Sequence, residues 1–376
     1  MGMTLCNRVI AAVAAVTVTV IAVGVQAGSA RAGAVAVGRP GAGAAGRPAG
    51  SAVVQDATGT AAQAAAVRYW TPARMSAALR AAGGRPAGGR PADGQPAGGR
   101  TAGGRTADGR RARRLVRKPP PAPRTAAAPR RTGDTAGAGL PWTHEGAVAA
   151  AVGKVFFTLG GDDYVCSGTL VGGRHPDVVL TAAHCVAGGP GKGGATQWAT
   201  NWMFVPGFAD GLLPYGEYTA RRFFVSKDWT GPEGGREQYD TAFVQVTSAT
   251  LYGVSGPRVP GTAQPPPGLP VTFAGRQDTA PLSRTYVFGY PAELPYSGLY
   301  LSYCAGPVGT SGGSVRTPCD MTAGDSGGPW LAGFSPRSGS GQVVAVSTYK
   351  MSGNLRVLYG AVLGPQARAL YERAVS

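Results

Sequence analysis

Acidic residues, histidine and cysteine are scarce in this chain of 376 residues, which holds 19 Asp and Glu, 3 His and 5 Cys. Three histidines and the lack of any Cys-x-x-Cys pair leave too few donors for a zinc cluster. Beyond the first 25 residues, no apolar run is long enough to span a membrane. The shortage of acid is uneven. Met1 to Asp134 carries 20 Lys and Arg against 4 Asp and Glu, whereas Thr135 to Ser376 carries 16 against 15. The formal net charge of +17 therefore belongs to the N-terminal third and says little about the rest. A basic tract can attract nucleic acid or anionic polymers by charge. Here it lacks the interleaved aromatics on which bases stack, so nucleic acid is not expected as a partner.

The first residues have the order of an export signal. Arg8 gives a positive start, Val9 to Val25 is apolar apart from Thr17, Thr19 and Gly24, and Ala30-Arg31-Ala32 offers a small-x-small cleavage site. Residues 1–32 are read as a signal peptide, an uncleaved anchor being the alternative. A secreted, extracellular protein follows, with no stable membrane insertion once the signal is gone. Cys6 leaves with it. Cys166, Cys185, Cys304 and Cys319 remain, an even number in an exported chain, which argues for two disulfides over free thiols. Four cysteines allow three connectivities; the pairs nearest in sequence would each close a short loop.

Residues 33–138 form an Ala/Gly/Pro/Arg tract in which Gly83 to Arg111 repeats a short Gly-Arg-Pro/Thr-Ala unit. It has too little apolar surface to offset its ordering entropy, and a disordered pro-segment is expected. One island differs: in Tyr69 to Leu79, Thr71 can cap a short helix with Pro72 at its first position. It either docks on the folded part or forms only a transient helix. Arg110-Arg111, Arg113-Arg114 and Arg130-Arg131 are candidate sites of proteolytic trimming, as in a zymogen. From Val155 the pattern turns to short β-type runs separated by Gly, Pro and Asp. Six runs precede the Pro-rich stretch Pro257 to Pro270 and six follow it, from Val271–Ala274 to Arg356–Val362. Two six-stranded antiparallel barrels are expected over 139–376, since closure removes exposed edges. A C-terminal helix is expected over Gln366 to Ala374.

The strongest local signal is Thr322-Ala323-Gly324-Asp325-Ser326-Gly327-Gly328-Pro329. Serine is a weak nucleophile that needs a base and a site for the developing oxyanion. Glycines around it let the chain turn and let amides converge, so the Gly324 and Ser326 amides are assigned to the oxyanion hole. Among the histidines, His144 lies in an irregular stretch and His175 in the turn Arg174-His175-Pro176-Asp177. His184 follows an apolar strand beside Cys185, and is taken as the base. A carboxylate must hold its ring. Asp240, at the mouth of the apolar run Ala242 to Val246, is preferred over Asp228.

Thr181–Cys185 (TAAHC), Asp240-Thr241-Ala242-Phe243-Val244 and Gly324–Pro329 (GDSGGP) together resemble the three blocks of the chymotrypsin/trypsin family, in its order. Over about Val155 to Ser376 the chain is similar to secreted bacterial trypsin-like peptidases, including the glutamyl-endopeptidase-like branch. The resemblance implies a serine endopeptidase that hydrolyses protein or peptide substrates through an acyl-enzyme and a His184, Asp240 and Ser326 triad. The disulfides and the absence of metal-binding motifs imply no cofactor and no metal; the oligomeric state is not fixed by the sequence, a monomer being favoured. The block Cys166-Ser167-Gly168-Thr169-Leu170 resembles the strand whose cysteine bridges to the one after the catalytic histidine, here Cys185. The departures lie around the pocket. Thr322 stands where animal members carry a cysteine, and Cys319 comes seven residues before Ser326 instead. Asp320, six before Ser326, falls where trypsins carry the acid that selects Arg or Lys, a solvated turn residue being the alternative. Ser347 and Tyr349 lie on the implied pocket wall, Ala345 to Tyr349, which has no histidine for a substrate glutamate. Asp325 is implied to form a buried ion pair with a new N-terminus or an arginine. An inactive binding or adhesive protein on the same scaffold is the alternative function, but no triad member is missing.

Overall fold

Val152–Leu159 and Asp162–Val171 fold back on each other through Gly160 and Gly161, whose φ values of 64° and 97° suit residues without a Cβ. The hairpin belongs to a computed structural model that describes residues 52–56, 59–83, 137–172, 177–190, 195–232, 234–248, 266–274, 284–311 and 313–376. In chain order come β1 (Ala52–Asp56), α1 (Thr60–Tyr69), α2 (Pro72–Gly83), β2 (Leu140–Pro141) and α3 (Ala147–Ala151). β3 (Val152–Leu159), β4 (Asp162–Val171), β5 (Val178–Thr181), β6 (Ala187–Pro190), β7 (Thr196–Trp198), β8 (Thr200–Pro206), β9 (Tyr218–Ser226) and β10 (Ala242–Ser248) follow. Then come β11 (Thr285–Gly289), β12 (Ser302–Gly306), β13 (Gly309–Ser311), β14 (Ser314–Pro318), β15 (Pro329–Ser335), β16 (Ser340–Met351), β17 (Asn354–Val362) and α4 (Pro365–Ala374).

The first half closes. Its order is β9-β10-β5-β4-β3-β8, and β8 returns to β9, giving a six-stranded antiparallel barrel. Val155, Leu170, Val179, Phe204 and Val244 share the inner face and fill it, all removed from water. α4 lies across its outside, where Gln245 Nε2 donates to Ala374 O at 2.8 Å and the Tyr371 ring meets Phe243.

The second half is one sheet in the order β13-β14-β17-β16-β15-β11-β12-β2. Among the described residues no ladder joins β12 to β14. The Cys304–Cys319 disulfide joins them instead, from the middle of β12 to the residue after β14. Thr317 Oγ1 also donates to Pro307 O at 2.9 Å across the same seam. Trp330 lies at the centre, fully buried, and its Nε1–H donates to Ser347 Oγ at 3.1 Å. Replacing Cys304 and Cys319 together by Ser should lower stability by about 2–5 kcal/mol. The denaturant midpoint checks this; an unchanged midpoint would mean that the seam holds without the covalent link.

Two readings of the sequence change. Among the described residues the run Val271–Ala274 makes a single bridge, Val271 to Val343, where Val343 N–H donates to Pro270 O at 2.8 Å and Thr272 N–H to Val343 O at 2.9 Å. The hairpin of β13 and β14 was not expected, since its Gly, Thr and Ser content resembles a loop. The disordered tract is also corrected over part of its length. β1 pairs with β9 from Ala52↔Ser226 to Asp56↔Arg222, and α1 and α2 cover the first barrel with Val67, Trp70, Met75 and Leu79 buried. An alanine-rich segment needs few large side chains when small ones let it sit close, and Trp70 is its largest buried side chain. The signal, the Arg/Gly repeat, the basic pairs, His175 and most of the Pro-rich stretch lie outside the described residues.

Candidate active site

β5 ends at Thr181, and a short 3-10 turn, Ala183–Cys185, follows it. Cys185 is bonded to Cys166 of β4, which fixes that turn against the barrel. β10 pairs with β5 with Ala242 opposite Thr181. Asp240, two residues before β10, thereby meets His184. Its Oδ2 lies 2.8 Å from His184 Nδ1, and its Oδ1 accepts the His184 backbone N–H at 2.9 Å. Both oxygens of a buried carboxylate are thus spent on one residue. This favours the tautomer protonated at Nδ1 and leaves Nε2 free as a base. Burial disfavours charge on the ring, but the charge and hydrogen bond of Asp240, with Asp325 further off, raise its pKa above the ordinary 6.5. Asp228 is elsewhere, accepting from Gln366 Nε2 at 3.1 Å and pairing with Arg236 at 3.5 Å. His144 is exposed, edge-on to Trp142.

The loop that carries Ser326 is fastened through its carbonyls. Ala323 O accepts from Ala292 N–H at 2.7 Å, Gly324 O from Ser167 Oγ–H at 2.7 Å, and Ser326 O from Ser167 N–H at 2.8 Å. Gly328 N–H donates to Asp325 O at 2.8 Å, and Gly327 N–H to Ser347 O at 2.8 Å. Gly324 and Gly327 have φ of 101° and 81°, which L side chains rarely adopt. A Cβ at Gly327 would also stand 2.2 Å from Thr181 Oγ1 and 2.8 Å from Ala182 N, so only glycine lets the loop press against the histidine segment. With the carbonyls tied away, the N–H groups of Gly324 and Ser326 have no acceptor among the described residues. Ser326 O lies 3.9 Å from Cys185 Sγ, the residue beside His184. Ser326 Oγ makes no hydrogen bond with the described residues; in unliganded catalytic sites such bonds are commonly long and tighten on substrate.

Sequence reasoning missed two residues that hold this loop. Ser167 is fully buried and both donates to Gly324 O and accepts from Tyr290 N–H at 2.8 Å. Its signal was a polar residue inside the buried run Val165–Val171 of β4. Lys154, in β3, is also fully buried and donates from Nζ to Tyr290 O at 2.7 Å. Burial lowers its pKa to about 7, opposed by the Asp325 carboxylate. Burial likewise raises Asp325 to about 7, opposed by Lys350, His184 and Lys154. Asp325 Oδ2 is buried without a hydrogen bond. Neither an arginine nor a chain terminus faces it within ion-pair distance among the described residues; its cationic surroundings are two lysines and His184.

Lys154 has a consequence for stability. With a folded pKa near 7 against 10.5 when unfolded, the unfolded chain holds the extra proton between those values. Stability should therefore rise with pH across that window, by up to about 1.4 kcal/mol per unit from this group. In Lys154→Met the rise should shrink. Denaturant unfolding at pH 7.5 and 9.5 reads it, and equal gains in both proteins would contradict the assignment.

The residues expected around a substrate pocket are placed as follows. Ser347 is buried beside the loop, its N–H donating to Gly328 O at 2.9 Å. Tyr349 stacks on Tyr359 with ring centroids 4.8 Å apart. Asp320 Oδ1 accepts from Gly139 N–H at 2.7 Å and from Tyr296 OH at 2.5 Å, and Asp320 N–H donates to Gly137 O at 2.8 Å. That carboxylate thus fastens residues 137–139 to the second sheet. Lys350 Nζ donates to Cys319 O at 2.7 Å and also to Leu355 O. The grouping Cys166, His184 and Cys185 does not fit a metal ion, because both sulfurs are spent in the disulfide.

Residues 166–346 match the model of the trypsin-like peptidase domain. Among solved structures, the protease Anisep from Arthrobacter nicotinovorans is 35% identical, with a TM-score of 0.51 over 61% of this chain and 96% of that one. The thermostable serine protease AL20 from an extremophilic microorganism is 28% identical, with a TM-score of 0.51 over 61% of this chain and 98% of that one. An extracellular metalloprotease of Bacillus subtilis (strain 168) is 28% identical over 102 residues, 27% of this chain and 30% of the relative, so the match spans less than a third of that protein.

Proposed function

Because this chain belongs to the trypsin-like serine peptidases, a family of serine-type hydrolases, we propose that it is a secreted endopeptidase working through His184, Asp240 and Ser326. The observation that carries this reading is the pairing of Asp240 with His184 through two contacts, 2.8 and 2.9 Å, beside a serine loop that leaves two amides unspent. Ser326 Oγ attacks the scissile carbonyl while His184 Nε2 takes its proton. The carbonyl oxygen, now an oxyanion, accepts from Gly324 and Ser326 N–H. Collapse of the tetrahedral species breaks the C–N bond as His184 returns the proton to the leaving amine. Water then cleaves the acyl-Ser326 ester with His184 again as base. Asp240 holds the imidazolium and does not itself take the proton.

Substrates are proteins or peptides, read along the Ser347 to Tyr349 wall. Purified secreted protein incubated with a peptide library should give internal cleavages with a reproducible preference; no cleavage of any peptide would reject the proposal. A preference for Arg or Lys would put Asp320 at the pocket base despite its contacts with Gly139 and Tyr296, and a small or apolar preference would leave it as the tether of residues 137–139.

The precursor loses residues 1–32 on export and is cut within the basic tract. N-terminal sequencing of secreted material should find a peptidase chain that starts between Arg110 and Glu145. A tract left intact from Gly33 onward would contradict this.

A further inference from the structure

α1 and α2 are held by directed contacts as well as by burial. Trp70 is removed from water, its ring 5.4 Å from that of Phe156 in β3, and its indole N–H donates to Asn201 O at 2.5 Å. Asn201 takes a φ of 50°, a left-handed conformation that asparagine tolerates. Tyr69 OH donates to Asp163 Oδ1 at 2.8 Å, and Arg74 pairs with the same carboxylate at 3.6 Å while lying 3.9 Å over the Tyr69 ring. Every partner named belongs to the first barrel or to the helices themselves.

The far end of α2 reaches toward the serine loop. A Cβ at Gly298 would stand 2.7 Å from Leu79 Cδ2 and 3.1 Å from Lys154 Nζ, so Gly298 is wedged between the helix and the buried lysine. Gly298 N–H donates to Pro291 O at 2.8 Å, closing a turn, and Ala292 N–H in that turn donates to Ala323 O at 2.7 Å. A Cβ at Gly324 would lie 3.0 Å from Ala292 Cβ. Leu79, the 291–298 turn and the Gly324 peptide therefore form one contiguous line of contacts.

We infer that Thr60–Gly83 is a lasting component of the working peptidase: it stays seated on the first barrel after the basic tract is cut, and through Leu79 it braces the turn behind Gly324. The bracing rests on the peptidase reading above; the retention does not. Before the cut the helices are held at high effective concentration by the linking chain. After it, the buried Trp70, Met75 and Leu79 and the Asp163 contacts must hold them unaided.

The full chain, digested with trypsin under native conditions until denaturing electrophoresis shows the tract cut, is passed through gel filtration at micromolar concentration. A peptide containing residues 60–83 should co-elute with the peptidase in equal amount, and turnover should match that of uncut protein. A peptide that separates overturns the retention, and a rise in turnover on its loss would make it an inhibitor instead. In the uncut chain, Leu79→Ala should lower kcat severalfold with KM little changed, and Leu79→Met should restore it. Arg74→Ala, which does not touch the 291–298 turn, should weaken retention after the cut without changing kcat beforehand. An unchanged kcat in Leu79→Ala overturns the bracing. If neither cut nor uncut protein hydrolyses peptides or takes up a fluorophosphonate, the peptidase reading fails, and co-elution still decides retention.

Discussion

Ser326→Ala should lower kcat on a peptide substrate by on the order of a millionfold while leaving KM within a few-fold. The size of the effect follows from the division of labour in the site. Alanine removes the nucleophile, but it keeps the backbone amide, and every hydrogen bond that shapes the loop is made by main-chain atoms of residues 323–328 or by Ser167. The Gly324 and Ser326 amides, proposed as the oxyanion donors, survive, so ground-state binding should persist and a small residual rate over water should remain. A loss of less than about a hundredfold would mean that another group attacks the carbonyl, since removal of one transition-state donor alone accounts for that much.

Asp240→Asn should lower kcat by about four orders of magnitude and change its pH dependence. Asn has one acceptor oxygen where Asp240 uses two, so either His184 N–H or His184 Nδ1 loses its partner. An amide N–H facing Nδ1 would also select the tautomer protonated at Nε2, which cannot accept the serine proton. In the native protein, activity should rise with pH through the pKa of His184, which lies above 6.5. Without the carboxylate that raises it, the acid limb of kcat/KM should move to lower pH. The same linkage acts on stability. A histidine whose pKa is higher folded than unfolded stabilises the fold fully below 6.5 and loses that contribution as pH rises through the folded value. The stability gap between native protein and Asp240→Asn should therefore be wider at pH 5.5 than at pH 9. A gap that widens with pH would show that the ring is not charged beside Asp240.

The parts of the molecule legible in the sequence were those set by short-range chemistry. The glycines around Ser326 announce a turn with amides on its inside, and Gly324 and Gly327 do take left-handed φ values. The apolar strand expected ahead of His184 is β5, which ends at Thr181, three residues before the histidine. Asp240 could be ranked above Asp228 because only the former precedes an apolar strand, and β10 pairs with β5 to bring it to the histidine. Long-range burial was not legible. Lys154 sits in an apolar run where a single lysine ordinarily points to water, and its burial depends on Tyr290, 136 residues away. Ser167 looked like any strand serine until Gly324 and Tyr290 converged on it from the second half. The helices at 60–83 were obscured by an alanine-rich composition that gives a weak apolar face in isolation; their fit depends on Phe156 of β3, Asp163 of β4 and Asn201 of β8, which meet Trp70, Tyr69 and Arg74.

Fluorophosphonate labelling followed by mass mapping tests the convergence of these groups most directly. The adduct should sit on Ser326 alone, form with a rate that climbs through the His184 pKa, and be lost in His184→Ala, because the hydroxyl becomes reactive only when that ring takes its proton. Phosphonylation at another residue, or undiminished labelling of Ser326 in His184→Ala, would contradict the account.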